Sequence, residues 1–349
     1  MSFGRWGKML AATFLAGLVA GSANAEPKEM KMSSFLPPTH ILTGLLQGFA
    51  KELSAASNGE VEIEYFGAEA LGKAVEQYDL TLEGLADFGL VCTTYTPSRF
   101  PLTAILELPF ASDSAKTSMQ VFAALAAGDI LSQEYKEVHL LLPTLPSPNQ
   151  IFANKPIQKA DDLAGLRMFG FGPHTAATWA ALGAQSVSMG FPDAYLALDR
   201  GTLDGVVASW AASTGWKWQE VVNYPVDVAL LGGFTCGVMM NLDSWNSLST
   251  ETRAAWTEIA AQWSDKIAAA YDANDETAKR AWEAAGKKIF TFPAEDRVAM
   301  AEKLKPVWEA WVADMKAKGL PGDDLYREYA KAMEAMGKPL LVKLPELLN

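Results

Sequence analysis

Residues 195–209 read YLALDRGTLDGVVAS. The first part is typical of a short helix, and Gly201 suits the left-handed conformation that ends many helices. Asp204 follows three residues later, and Val206–Ser209 then has the apolar composition of a buried strand. This order of helix, glycine, aspartate and strand predicts one helix–strand unit of an α/β sheet.

The same order occurs in residues 78–92. There Gly84 ends the helical stretch, Asp87 follows three residues later, and Phe88–Cys92 forms the predicted strand. Because this pattern is short, it is informative only in combination with other features of the chain. Together the two units indicate two α/β lobes of similar build.

The beginning of the chain also predicts an α/β layer. Met30–Phe35 is typical of a short strand that stops at two adjacent prolines. From Leu42 to Ala56, apolar residues recur at spacings of three and four, which indicates one face of a helix that ends at Asn58-Gly59. Val61–Phe66 alternates polar and apolar residues, as a half-buried strand does.

The end of the chain, from Leu248 onward, is predicted to be helical. Ser249 is a typical N-cap, and an apolar stripe runs from Trp256 to Tyr271. Asp296–Lys318 is a second helical stretch, in which we expect Pro306 to kink or split the helix.

The first 25 residues are typical of a secretory signal peptide. A basic start with Arg5 and Lys8 precedes the apolar run from Met9 to Ala20, and Ala23-Asn24-Ala25 has the small-x-small pattern of a cleavage site. We predict a cut between Ala25 and Glu26. Because the apolar run is short of the roughly 20 residues that span a bilayer, we expect a periplasmic protein with no stable membrane insertion.

The charge excludes one class of partner. The chain has 29 basic and 41 acidic residues and a net charge of −12, which becomes −14 when a signal peptide with two basic residues is removed. Affinity for nucleic acid comes from clustered Lys and Arg that release counterions. We therefore predict no nucleic-acid partner.

Export leaves two states open for Cys92 and Cys236. An oxidising compartment permits a disulfide between them, while their apolar, strand-like surroundings also suit two small buried hydrophobic side chains. The three histidines lack the spacing of metal ligands, and no Cys-x-x-Cys pair occurs in the sequence. We predict neither a metal site nor a cofactor.

Motifs of catalysis are missing from the sequence. It has no Gly-x-Ser-x-Gly elbow, no glycine-rich phosphate loop and no complete dinucleotide fingerprint. Gly170-Phe171-Gly172 lacks the third glycine of that fingerprint and is followed by Pro173, which indicates a loop at a strand end. We therefore predict a protein with no catalytic residues.

Several segments together resemble one family. In the first half these are SSFLPPTH (33–40), FGAEALG (66–72) and EGLAD (83–87); in the second half they are ANKPI (153–157), DLAGLRM (162–168), ALGA (181–184) and ALDRGTLDG (197–205). Their order and spacing resemble the solute-binding proteins of tripartite ATP-independent periplasmic (TRAP) transporters, of the dicarboxylate-binding-protein type. The likeness runs from residue 30 to residue 317.

The resemblance implies a two-lobed, type II-like periplasmic binding protein with crossing hinge strands. It implies that the lobes close over one small-molecule ligand, which is then delivered to the membrane subunits of a TRAP permease. The expected boundaries are a signal peptide in 1–25, a first lobe in 26–150 and a second lobe in 151–235. Residues 236–349 are expected to form a strand that returns to the first lobe, a long spanning helix and C-terminal helices.

One position departs from the family. Members usually carry an arginine two residues beyond the position of Arg167, where its guanidinium pairs with a ligand carboxylate. Here that residue is Phe169. We therefore favour a neutral, aromatic or cationic ligand over a simple dicarboxylate. The alternatives are a carboxylate bound by Arg99, Arg167 or backbone donors, and a secreted enzyme or a ligand sensor on the same scaffold.

The cleft is expected to be aromatic, with Phe169 as the leading contact and Trp210 as the next. Rings can stack on an aromatic solute or hold a cation, a few hydroxyls and His40 can orient it, and Glu69 can complement a cationic group. The predicted ligand-binding residues are Phe35, His40, Glu69, Thr93, Thr94, Tyr95, Phe169, Phe171, Ser209, Trp210 and Phe234. Three further residues are predicted to lie in or near the segments that border the cleft: Trp179, Trp216 and Trp218.

Overall fold

A computed structural model describes residues 26–232 and 234–348. The predicted signal peptide, residues 1–25, lies outside the described residues. In chain order the elements are β1 (Lys28–Ser33), α1 (Ile41–Ala56), β2 (Val61–Phe66), α2 (Gln77–Leu82), β3 (Phe88–Cys92), α3 (Ala115–Ala126), β4 (Val138–Pro143), β5 (Asn149–Ala153), β6 (Arg167–Gly170), α4 (Pro173–Ala181), β7 (Gln185–Ser188), α5 (Phe191–Asp199), β8 (Gly205–Ala208), α6 (Trp210–Gly215), β9 (Tyr224–Leu231), β10 (Cys236–Asn241), α7 (Leu242–Asn246), α8 (Thr250–Ala284), β11 (Phe290–Thr291), α9 (Ala294–Ala317), α10 (Gly322–Ala335) and α11 (Pro345–Leu348).

The strands form two sheets, one in each lobe. The first sheet has the order β2-β1-β3-β10-β4, with β1 parallel to β2 and β3, and with β10 antiparallel to β3 and β4. The second has the order β11-β9-β5-β8-β6-β7, with β6 parallel to β7 and β8, and with β5 antiparallel to β8 and β9. The chain crosses between the sheets from β4 to β5 and returns from β9 to β10. The predicted two-lobed α/β fold is confirmed.

Both repeated units form as the sequence predicts. In each, a helix ends near a glycine with positive φ, 72° at Gly84 and 66° at Gly201. A side chain with a Cβ rarely adopts this conformation, so glycine is the suitable residue where the chain turns back to the sheet. The strands β3 and β8 then follow.

The two aspartates of these units make equivalent contacts. Asp87 Oδ2 accepts a hydrogen bond from the backbone N–H of Lys31 in β1 at 2.9 Å. Asp204 Oδ2 accepts one from the backbone N–H of Arg167 in β6, also at 2.9 Å. In each lobe, therefore, the carboxylate just before one parallel strand holds the neighbouring strand in place.

The long helix α8 joins the two lobes. It packs against α1 and α3 of the first lobe and against α6 of the second. As predicted, Ser249 caps it, because the Ser249 hydroxyl accepts a hydrogen bond from the Thr252 N–H at 3.1 Å. In the part of the chain that is described, no helix combines the length and the apolar composition that crossing a bilayer requires.

Helix α9 corrects one expectation. It runs from Ala294 to Ala317 with Pro306 inside, so of the kink or split expected at this proline the split does not occur. A proline removes one backbone hydrogen bond from a helix. Buried side chains on both sides of it, among them Leu304 and Trp308, hold the helix against the core.

A disulfide joins Cys92 and Cys236. The two residues lie directly opposite each other on the antiparallel strands β3 and β10. Of the two states that the sequence left open, the structure has the disulfide.

Candidate functional site

A cavity of about 50 Å³ lies between the two lobes. The first lobe contributes residues from the segment after β1 and the start of α1, the middle of β3, the segment after β4, and Cys236. The second lobe contributes the starts of α5 and α6, and α8 contributes one tyrosine. The lining residues are Phe35, Leu36, His40, Leu42, Leu90, Thr144, Pro146, Asn149, Phe191, Ala208, Ser209, Ala212, Trp216, Phe234, Cys236 and Tyr271.

Four of the predicted ligand-binding residues line this cavity: Phe35, His40, Ser209 and Phe234. Ser209 is also the N-cap of α6, where its hydroxyl accepts a hydrogen bond from the Ala212 N–H at 3.1 Å. The cavity thus lies at the carboxyl end of β8, as is common for ligand sites in α/β proteins.

Three predicted rings lie one layer behind the lining. Phe169 is fully buried, and its ring centroid lies 4.9 Å from that of Phe191, which lines the cavity. Phe171 and Tyr95 pack edge-on against Phe234, with ring centroids at 4.8 and 5.4 Å. These three side chains support the lining rings and do not themselves line the cavity.

The hydroxyls of Thr93 and Thr94 are hydrogen-bonded to the buried carboxyl group of Glu107. Both hydroxyls donate to Glu107 Oε1, and Thr235 also donates to this side chain. Burial raises the pKa of Glu107 to about 7, although the threonine hydrogen bonds favour its ionised form. Neither threonine lines the cavity.

Glu69 and Trp210 do not line the cavity. Glu69 Oε1 accepts a hydrogen bond from the Ala74 N–H at 3.0 Å. Trp210 packs against Phe152 and borders a separate pocket with several carboxylates, where the Lys279 ammonium lies 5.6 Å from the tryptophan ring centroid. In the described ranges, no cluster of His, Cys, Asp or Glu could hold a metal ion.

The two arginines considered for a ligand carboxylate are already paired. Arg167 Nε lies 2.9 Å from Asp204 Oδ2, and Arg99 forms an ion pair with Glu137. Among the described residues, neither Arg nor Lys lines the cavity. The site as folded therefore offers no cationic side chain to an anion.

His40 provides a neutral polar group in the cavity wall. Burial lowers its pKa to about 4, so the imidazole is uncharged at neutral pH. Its Nδ1 accepts the Leu42 N–H at 3.2 Å as the N-cap of α1, and the ring proton is therefore assigned to Nε2.

Sequence reasoning missed Phe191, Thr144 and Tyr271 as lining residues. Phe191 begins α5 just after β7, and Thr144 directly follows β4. Both lie at the carboxyl ends of strands, so the rule that α/β proteins bind ligands at that edge could have found them. Tyr271 belongs to the apolar stripe of α8 and carries no such signal.

The lobes touch at two glycines on the second lobe. At the first, which we call the Gly215 contact, the Thr39 hydroxyl donates to the Gly215 carbonyl at 2.9 Å, and a Cβ on Gly215 would lie 3.1 Å from His40 Cδ2. At the second, the Gly172 contact, a Cβ on Gly172 would lie 2.7 Å from Thr94 Cγ2. Both contacts bring the lobes so close that a methyl group would have to displace the opposite side chain.

The cavity is small for a ring-containing ligand. An apolar cavity of about 150 Å³ holds benzene, three times the volume found here. Entry of an aromatic solute therefore requires the lobes to move apart, and the contacts that the bound solute makes with both lobes then favour their closure.

The chain matches a known family over most of its length. The model of the bacterial extracellular solute-binding proteins, family 7, matches residues 32–314. A C4-dicarboxylate-binding periplasmic protein of Rhodobacter capsulatus is 27% identical over 308 residues, which cover 86% of this chain and 91% of that protein.

Solved structures of TRAP solute-binding proteins share the fold. A protein from Rhodoferax ferrireducens in complex with benzoate has a TM-score of 0.83 at 24% identity and covers 88% of this chain and 98% of its own. One from Bordetella bronchiseptica with bound (R)- and (S)-mandelate has a TM-score of 0.79 at 25% identity. It covers 89% of this chain and 100% of its own.

Proposed function

This chain belongs to family 7 of the bacterial extracellular solute-binding proteins, and we propose that it captures a small aromatic solute between its lobes and delivers it to a TRAP permease. It is a TRAP-type solute-binding protein and not an enzyme. The permease, the cleavage site after Ala25 and the class of ligand are parts of the proposal.

The observation that carries the ligand class is the composition of the cavity wall. Among the described residues, five aromatic side chains line it, and a second layer of rings supports them. The five are Phe35, Phe191, Trp216, Phe234 and Tyr271. Such rings favour a flat aromatic partner in stacked or edge-on geometry. The benzoate and mandelate bound by two structural neighbours are ring-containing solutes.

The polar part of the ligand is proposed to be neutral, or cationic and held by the rings of the cavity wall through cation–π contacts. A buried carboxylate without a charged partner is costly, and the described residues that line the cavity include no Arg or Lys. Phe169 lies at the position where the family usually has its carboxylate-binding arginine. The acids bound by the neighbours favour a second candidate, an aromatic monocarboxylate held by neutral donors such as His40 Nε2.

A thermal-shift panel of benzyl alcohol, benzamide, benzylamine, benzoate and succinate tests the ligand class. A ligand in excess of its dissociation constant stabilises the native state by RT ln(1 + [L]/Kd). We expect the aromatic compounds to raise Tm and succinate to leave it unchanged. Benzoate as the strongest binder would select the monocarboxylate candidate, and succinate as the strongest binder would overturn the proposal.

The role of Phe169 is tested by Phe169→Leu. Because this fully buried ring packs on Phe191, removing it to Ala would cost about 3–5 kcal/mol of stability, and the milder leucine keeps the fold measurable. We expect weaker binding of the strongest ligand of the panel. The control is Phe49→Leu, another fully buried phenylalanine, on α1 and outside the cavity lining. Both variants should lower Tm, but only Phe169→Leu should weaken binding; unchanged affinity would remove Phe169 from the site.

The delivery step is tested separately from ligand binding. We expect the genes of a small and a large TRAP membrane subunit beside the gene for this chain, and ligand uptake that requires all three proteins. A neighbouring receptor gene in their place would instead favour the ligand sensor.

A further inference from the structure

The hydroxyl of Thr144 is an unpaired polar group in the cavity wall. Thr144 is 1% exposed and lines the cavity, and its Oγ1 is buried without a hydrogen-bond partner in the described residues. Of the described residues that line the cavity, it is the one with a fully buried polar side-chain atom left unpaired. A buried hydroxyl without a partner is unfavourable, so the site is incomplete as it stands.

Other polar side chains of the wall already serve the fold. Ser209 Oγ caps α6 by accepting the Ala212 N–H, and Asn149 Nδ2 donates to the Gly232 carbonyl at 2.9 Å. His40 Nδ1 is occupied by the Leu42 N–H. Thr144 differs from these residues because no hydrogen bond within the described part of the chain uses its hydroxyl.

The backbone holds the Thr144 side chain in a fixed place. The Thr144 N–H donates to the Cys236 carbonyl at 2.8 Å, which ties the residue to the strand next to β4. The following residue, Leu145, is fully buried and its N–H lies 3.2 Å from Met119 Sδ. The hydroxyl can therefore rotate but cannot swing away to solvent.

We propose that Thr144 is a specificity-determining residue, whose hydroxyl hydrogen-bonds an uncharged oxygen-bearing group on the ring of the bound solute. The inference rests on the proposed aromatic site and narrows its ligand class. A hydroxyl both donates and accepts, so it matches an alcohol, a carbonyl or an amide. It brings no charge to the cavity, so a carboxylate in place of that group would lack a cationic partner among the described lining residues.

The test compares Thr144→Val with Thr144→Ser by calorimetric titration of benzyl alcohol, benzamide and toluene. Valine keeps the shape of threonine and removes the hydroxyl, whereas serine keeps the hydroxyl. We expect Thr144→Val to lower the affinity for benzyl alcohol and benzamide about tenfold and to leave the affinity for toluene unchanged. Thr144→Ser should retain the preference for the two oxygen-bearing ligands. The ligand-free valine variant should unfold at a Tm no lower than the wild type, because the Thr144 hydroxyl has no hydrogen-bond partner among residues 26–232 and 234–348.

A control separates ligand recognition from packing. Thr81 is fully buried in the same lobe, but its hydroxyl donates to the Gln77 carbonyl at 2.8 Å and it does not line the cavity. Thr81→Val should lower Tm and leave all three affinities unchanged.

Two results would overturn the role of Thr144. One is a Thr144→Val protein that binds benzyl alcohol and benzamide as the wild type does. The other is an equal loss of affinity for all three probes together with a lower ligand-free Tm, which would show a structural role.

If no aromatic probe binds the wild type, the proposed ligand class fails. The Thr144 variants are then titrated with the strongest binder of the wider panel. There, binding that valine weakens and serine retains supports the inference, and binding that valine leaves unchanged overturns it.

Discussion

The Gly215 contact and the Gly172 contact both join the two lobes but differ in their surroundings. At the Gly215 contact, His40 and Trp216 themselves line the cavity. At the Gly172 contact, Thr94 is separated from the cavity, and its hydroxyl is bound to the buried carboxyl of Glu107.

This difference separates two influences on closure of the lobes. A solute in the cavity touches residues of the Gly215 contact and can stabilise closure there directly. The Gly172 contact has a titratable group behind it and a tighter fit between the lobes, so protonation and packing should dominate there. Substitutions at each of the two contacts test whether closure depends on them in these different ways.

The largest expected effect is a change in pH dependence in Glu107→Gln. Burial raises the pKa of Glu107 to about 7, above the roughly 4.3 of an unfolded glutamate. The native state therefore keeps a proton that the unfolded state releases, and the resulting stabilisation is full below the unfolded pKa and is lost as the pH rises to about 7. Glutamine cannot titrate, so the variant should gain about 3 kcal/mol relative to the wild type between pH 4 and pH 8.

Urea unfolding of both proteins at a series of pH values measures this difference. His40, His139 and His174 have pKa values lowered to about 4 by burial and act in the opposite direction, but both proteins contain them and their effect cancels. Parallel pH profiles of the two proteins would contradict a carboxyl group that is protonated in the native state.

The next effect is expected for Gly172→Ala. Gly172 has an extended backbone with φ of 166°, which alanine adopts freely, so the methyl acts only through its clash with Thr94 Cγ2 at 2.7 Å. Such overpacking costs about 1–3 kcal/mol, and we expect it to oppose closure and weaken ligand binding by about tenfold to a hundredfold. Calorimetry with the strongest binder of the panel measures the affinity, and small-angle scattering measures the separation of the lobes.

A second substitution should restore closure. Thr94→Ser removes Cγ2 but keeps the hydroxyl that binds Glu107, and the next atom facing the new methyl is then the Thr94 carbonyl oxygen at 3.5 Å. Gly190→Ala is the matched control, because Gly190 is also the N-cap of a helix and its nearest neighbour would lie at 3.5 Å. Failure of Thr94→Ser to restore affinity would show that the clash is not the cause.

The fold was largely predictable because its signals are local. Val61–Phe66 alternates along the chain and forms β2 with these bounds. Gly84 and Gly201 mark the ends of helical stretches through backbone geometry alone. Pro306 shows the limit of local rules, because tertiary packing of α9 keeps the helix continuous there.

The site was predicted less well because its walls form in three dimensions. Strand alternation places Arg167 and Phe169 on one side of β6. It cannot show that the Arg167 guanidinium is paired with Asp204, or that the Phe191 ring packs on Phe169 and lines the cavity in its place. Thr144 is a single polar residue in an apolar stretch, and only the assembled cavity shows that its hydroxyl has no partner among the residues that the structure describes. Sequence patterns identify which residues are buried more readily than which buried residues face a ligand.

The smallest effect is expected for Gly215→Ala. Its methyl would lie 3.1 Å from His40 Cδ2 and 3.3 Å from His40 Cα, a milder conflict than at Gly172. Gly215 ends α6, where alanine favours the helix by up to about 1 kcal/mol and offsets part of the clash. We expect about a threefold loss of affinity with an unchanged Tm. Gly44→Ala, on α1 with no atom within 4 Å of the added methyl, controls for the gain in helix propensity. A larger loss from Gly215→Ala than from Gly172→Ala would reverse the order of the two contacts and make the cavity-side contact the tighter restraint on closure.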